Sequence, residues 1–137
     1  MCLKVLGKYR DEGLLILRIG LGVMFILHGW PKIQGGPDLW EKVGMAMGNF
    51  GISFAPVVFG FLAALSEFGG GICLVLGLYT RVAALFMFIT MVVAATMHLK
   101  SGDGLPKASH AIEAASVFLG LIFIGAGKYS IDQKIEK

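Results

Sequence analysis

Residues 54–81 read FAPVVFGFLAALSEFGGGICLVLGLYTR, and how that stretch is read decides the fold. From Phe54 to Tyr79 it carries one charged residue, Glu67, among apolar and small side chains. Its length suffices to cross a hydrocarbon core, which needs about 20 helical residues. A charge near the bilayer centre costs roughly 2.5–3.5 kcal/mol on insertion scales, so intramembrane ionisable groups face the bundle interior. On a helix Gly60, Ala63, Ala64, Glu67, Gly70, Gly71 and Leu74 recur at three- and four-residue intervals. Small residues at that spacing let backbones approach closely in lipid. Glu67 is therefore expected on the packing face, either as a working group or as interhelical glue paired with another buried charge.

The rest of the chain agrees with a membrane setting. Of its 137 residues 56% are hydrophobic and 15% charged, against about 25% charged in soluble domains; the mean hydropathy is +0.78. Apolar runs predict an all-α, four-helix integral membrane bundle with spans at about 13–32, 54–79, 82–99 and 110–127. Short loops leave no room for a separate soluble domain. The first run follows Lys4, Lys8 and Arg10 as a secretory leader would, but it ends in His28, Gly29, Trp30, Pro31 and Lys32 without a small-residue cleavage site. It reads as a retained span with interfacial Trp and Lys anchors. Seven cations (Lys4, Lys8, Arg10, Arg81, Lys128, Lys134, Lys137) fall on the side of the termini and four (Lys32, Lys42, Lys100, Lys107) on the other. The positive-inside bias makes both termini cytoplasmic. Tyr79 to Arg81 is a tight turn between antiparallel neighbours, the connection 100–109 is expected to be irregular, and residues about 38–50 suit a short interfacial amphipathic helix.

Several further groups are candidates for chemistry. On the first span Arg18, Gly22, Phe25, Gly29 and Lys32 form a stripe, so Arg18 points inward or snorkels to the headgroups. An Arg18–Glu67 ion pair is the chief structural alternative; by helical rise the two lie roughly 12 Å apart in depth, within reach of two extended side chains and some tilt. The topology carries His28, His98 and His110 to one membrane level, with Glu113 one turn from His110. Such groups relay protons or, with carboxylates, bind a metal; the i, i+3 spacing of His110 and Glu113 is a weak metal signal, and no metal site is expected. Cys2 and Cys73 form no redox pair by spacing. No flavin, haem, nucleotide or nucleic-acid motif is present.

Three stretches together resemble the DoxX family of small bacterial membrane proteins. Residues 17–32, LRIGLGVMFILHGWPK, are similar to its first-helix pattern; residues 65–81, LSEFGGGICLVLGLYTR, to its Glu-glycine segment; residues 125–132, GAGKYSID, to its closing signature. Ala126 stands where that signature usually has Pro and Lys128 where it often has Arg. The resemblance implies a multi-pass inner-membrane protein and singles out Arg18, His28, Gly29, Lys32, Glu67, Gly70, Arg81, Gly127, Tyr129 and Asp132, with Asp132 placed to meet Arg81 across the inner rim. Members of the family include a subunit of a thiosulfate:quinone oxidoreductase and membrane partners in thiol and oxidative-stress systems. The expected function is accordingly a quinone-linked oxidoreductase subunit, its electrons supplied by a soluble oxidoreductase partner. Proton handling falls to Glu67, His28, His98 and Glu113, and the quinone to Arg18, His28, Trp30, Glu67 and Phe68, with walls from Phe25, Phe61 and Phe118. A non-catalytic anchor for a soluble redox or stress-response enzyme is the alternative, and a small-molecule or proton permease, which needs a homo-oligomer or a continuous polar track, comes third. The lipid bilayer is the surrounding partner. A Glu67 carboxyl bathed in acyl chains, or sealed solely against a neighbouring guanidinium with no void alongside, would end the quinone reading.

Overall fold

The computed structural model describes residues 3–136; Cys2 of the thiol argument and Lys137 of the charge count lie outside the described residues. After a 3-10 turn at Lys4–Tyr9 come α1 (Arg10–Gln34), α2 (Gly36–Gly44), a 3-10 segment (Met45–Phe50), α3 (Pro56–Leu76), α4 (Thr80–Lys100), α5 (Leu105–Ile124) and the short α6 (Ile131–Ile135). Four of these stretches, Lys4–Gln34, Pro56–Leu76, Thr80–Lys100 and Leu105–Ile124, are long and apolar enough to cross a membrane. Large side chains such as Ile16, Leu27, Phe86 and Phe123 are exposed and form the lipid-facing surface. The ends at Arg10, Leu76, Thr80 and Ile124 share one rim with both termini, here termed the terminal face; the opposite rim is the loop face.

Local chemistry sets the boundaries. α1 runs through Pro31, whose missing N–H removes a bond only in the last turns, and stops where Gly35 donates to the Pro31 carbonyl and Gly36 takes φ +71°. α3 starts at Pro56 and ends on Gly77 at φ +65°, with Leu78 N–H donating to the Cys73 carbonyl at 2.9 Å, a glycine-terminated helix end. The fourth span begins at Leu105, five residues ahead of the expected 110, because Pro106 sits in the first turn, where no N–H is needed. It ends at Ile124, since Gly125 and Gly127 take φ +81° and +79°. The segment expected as one interfacial helix over about 38–50 is α2 followed by a 3-10 run.

Glycine and alanine determine which helices touch closely. A Cβ on Gly22 would lie 2.6 Å from the Gly71 carbonyl oxygen, and one on Gly29 2.5 Å from the Phe68 nitrogen. α1 and α3 thus meet backbone to backbone. α2 does the same to α3: a Cβ on Gly44 or Gly60 would strike the carbonyls of Pro56 or Trp40 at 1.7 Å. α4 and α5 pack through Ala83, Ala84, Ala95, Ala108, Ala111, Ala114 and Ala115, all buried. Between α3 and α4, Gly70 faces the Met87 thioether and Thr90 Oγ1 donates to Ser66 Oγ at 3.1 Å. The seam between α1 and α5 differs. It is bridged by rings, with Phe25 and Phe118 edge to face at 5.0 Å.

Candidate functional site

The small-residue stripe of α3 is the buried face, as its spacing predicts: Gly60, Ala64, Glu67, Gly70, Gly71 and Leu74 are all buried. Glu67 is 3% exposed. Its partner is Lys32 rather than Arg18. Lys32 Nζ donates to Glu67 Oε1 at 2.8 Å and to Oε2 at 2.7 Å. The reason is register. Gly29 packs on Phe68, so the α1 residue that can reach Glu67 lies near the loop end of α1, one turn beyond Gly29. The helix persisting through Pro31 keeps Lys32 on the inward stripe, and Trp40 Nε1 fixes that turn by donating to the Lys32 carbonyl at 2.7 Å. The pair is asymmetric: the Lys32 side chain is 34% exposed and that of Glu67 4%. An ammonium has three N–H donors, and two of them go to the carboxylate.

Arg18 is fully buried and turned inward, so it does not snorkel. Nη1 donates to the Leu74 carbonyl at 3.0 Å and Nη2 to the Tyr129 carbonyl; Nε has no partner. It therefore caps the end of α3 and ties it to the closing segment. The expected Asp132–Arg81 contact is likewise replaced by two caps. Asp132 accepts the N–H groups of Tyr79 and Thr80 at 2.6 and 2.9 Å, holding Tyr79 at φ +47° in the tight turn. Arg81 donates to the carbonyls of Ile122 and Phe123 at the end of α5. Asp11 accepts Lys128 N–H at 3.1 Å, and the Tyr129 hydroxyl donates to Glu12 at 3.1 Å. That bond, together with the nearby negative charge, pushes the Tyr129 phenol up from its ordinary value.

The loop face divides the expected imidazole cluster. His28 and His110 stack with centroids 5.8 Å apart across the α1–α5 seam, and His28 Nδ1 lies 2.8 Å from the Met24 carbonyl. His98 instead engages Asp103 at 2.8 Å. Asp103 also accepts from Ser101 and Lys107, and these hydrogen bonds, led by that of His98, hold its carboxyl below the ordinary range. Glu113 is exposed on α5. Among the described residues no three His, Cys, Asp or Glu side chains come close enough to share a metal. Trp30 and Phe68 stack at 5.4 Å. Trp30 is two residues from Lys32, which places the two on opposite sides of a helix with 3.6 residues per turn. The expected quinone set thus falls into separate places: Arg18 at the terminal face, Glu67 in the interior, His28 at the α1–α5 seam, and Trp30 with Phe68 on the other side of α1. Phe25 and Phe118 are core residues, and Phe61 packs on Trp40 at 4.8 Å. The residue missed as a partner is Lys32. Its place on the Arg18–Gly22–Phe25–Gly29 stripe was the available signal.

Four apolar helices around an internal charge pair define a multi-pass membrane protein. The chain belongs to the DoxX family, whose pattern it matches over residues 13–99. It is similar to Inner membrane protein YqjF of Escherichia coli K12, 33% identical over 133 residues that cover 95% of this chain and 97% of the relative. It is also similar to Inner membrane protein YphA of the same organism, 31% identical over 136 residues that cover 93% and 94%. A Bacillus subtilis 168 protein named "Putative oxidoreductase CatD" is 30% identical over 97 residues, covering 70% of this chain and 67% of the relative. No solved structure matches. The protein is a multi-pass bacterial inner-membrane protein.

Proposed function

We propose that the protein is the membrane subunit of a quinone-linked oxidoreductase and that the Lys32–Glu67 pair is where the quinone headgroup is held. One observation carries this reading: the carboxylate is buried while its ammonium partner is one-third exposed and has a donor to spare. That third N–H suits a quinone carbonyl, and apolar walls with a few convergent polar groups are what such a guest requires. Beside the pair, the α1–α5 seam carries Phe25, Phe118, His28 and His110, aromatic groups of the kind that could wall a ring. Conversion of a quinone to a quinol takes up two electrons and two protons. A soluble partner would deliver the electrons; Lys32 would pass one proton to the oxygen it holds and be reprotonated from the loop face, and the other oxygen would take its proton from solvent. The name of the CatD relative supports a redox setting.

The test is the lipid extract of protein purified in mild detergent, read by redox difference absorbance. Near-stoichiometric quinone is expected in the native chain, with loss in Lys32→Met and Glu67→Gln variants that still unfold cooperatively. Native protein without quinone overturns the reading. A second reading, a non-catalytic anchor for a soluble redox enzyme, draws on the pairing of both Glu67 oxygens with Lys32. There Glu67→Gln lowers stability and spares partner activity once protein levels are matched.

A further inference from the structure

The terminal face carries a cleft of about 450 Å³ that is separate from the charge pair. Three cations from different helix ends surround it: Arg10 at the start of α1, Arg81 at the start of α4 and Lys128 just beyond α5. All three are exposed. Their depth is set by where the spans end, which is where phosphates of a bilayer leaflet lie. Three acids also line the cleft: Asp11, which accepts Lys128 N–H, Asp132, which accepts Tyr79 and Thr80 N–H, and Glu136. Those carboxylates keep their charge, but among the described residues neither Arg10 nor Lys128 forms a salt bridge with them. Thr80, which lines the cleft, is fully buried, and its hydroxyl has no partner. A buried polar group without a partner is rare in folded proteins.

We infer that this cleft binds a phosphate ester, with Arg10, Lys128 and the outer edge of the Arg81 guanidinium as its cations and Thr80 at its floor. Basic pockets between transmembrane helices at the headgroup level are a recognised way to hold anionic lipid headgroups. A soluble phosphate compound has the same chemistry. The inference does not depend on the redox reading, since Lys32 and Glu67 lie in the other half of the bundle.

The experiment is thermal unfolding of the full chain in mild detergent, with binding counted by native mass spectrometry. Three probes are compared: phosphatidylglycerol, phosphatidylcholine at the same mole fraction, and glycerol 3-phosphate in the buffer. A Tm rise and retained adducts with phosphatidylglycerol alone assign the site to a lipid headgroup; the same response to glycerol 3-phosphate assigns it to a soluble ester. The double variant Arg10→Gln with Lys128→Gln is expected to weaken binding roughly 25-fold, about fivefold for each surface cation removed. Lys8→Gln with Lys134→Gln, which removes two cations outside the cleft, keeps it. Thr80→Val, which breaks no internal hydrogen bond, keeps the unliganded Tm and reduces the lipid-induced rise. No response to either phosphate ester, or a full response in both the Arg10/Lys128 and Thr80 variants, overturns the inference.

Discussion

The two ends of the bundle use charge differently. At the terminal face Arg18, Arg81, Asp11 and Asp132 each bind main-chain groups: carbonyls at the ends of α3 and α5, and N–H groups at the start of α4 and after α5. In the loop half Lys32 and Glu67 bind each other, side chain to side chain, with one of the two partly open. A charge that satisfies backbone cannot leave without orphaning it, so it is bound to the fold. A charge paired with another charge, with a donor unused, can exchange partners at lower cost. The contrast is a physical criterion for separating scaffold from working residues within one chain.

The contrast can be broken at its strongest point first. Arg18→Met should lower stability most, by about 3 kcal/mol, because it strips the Leu74 and Tyr129 carbonyls of their donor and each orphaned group costs about 1–3 kcal/mol; unfolding in detergent measures it, and a Tm near that of the parent would refute the capping role. Gly71→Val should cost about 2–3 kcal/mol, since its Cβ would sit 2.7 Å from the Gly22 carbonyl and overpacking is penalised on that scale. Asp132→Asn keeps one acceptor and loses the charge, for about 1–2 kcal/mol; the loss should appear as faster amide exchange at Tyr79 and Thr80. Glu67→Gln should cost only about 1 kcal/mol, because a partly exposed Lys32 can turn to the headgroups, while any quinone binding is lost. A large destabilisation with binding intact would reverse the two regions' roles. The smallest effect belongs to Asp103. Its lowered pKa means that the carboxylate's contribution is complete above the ordinary value of 3.8 and is lost as pH falls through the lowered one. Amide exchange around Ser101 to Gly104 should therefore rise only in acid, and Asp103→Asn should remove that dependence.

Much of this was legible in residue order. The buried stripe of α3 follows from the spacing of Gly60, Ala64, Glu67, Gly71 and Leu74, and the tight turn from the three residues between two apolar runs. Membership in the DoxX family was readable from the motifs around Arg18, Glu67 and Tyr129. The partner of Glu67 was not, because pairing depends on the axial register of α1 against α3, which the Gly22–Gly71 and Gly29–Phe68 contacts set through space. The depth offset of roughly 12 Å between Arg18 and Glu67 left that pair within reach by helical rise alone. Nor could spacing show that His98 turns to Asp103 while His28 meets His110; both outcomes place imidazoles at the same membrane level, and loop conformation decides between them. The caps at the terminal face involve main-chain atoms, which leave no trace in side-chain patterns.

The residues that satisfy Arg18 and the start of α4 are Tyr129 and Asp132, which follow the groups they serve at a long distance in the chain. Until they arrive, a guanidinium synthesised more than a hundred positions earlier has one of its two hydrogen bonds unmade. A product cut short before residue 129 would lack this clasp, leaving Arg18 without the Tyr129 carbonyl and the first N–H groups of α4 without the Asp132 carboxylate.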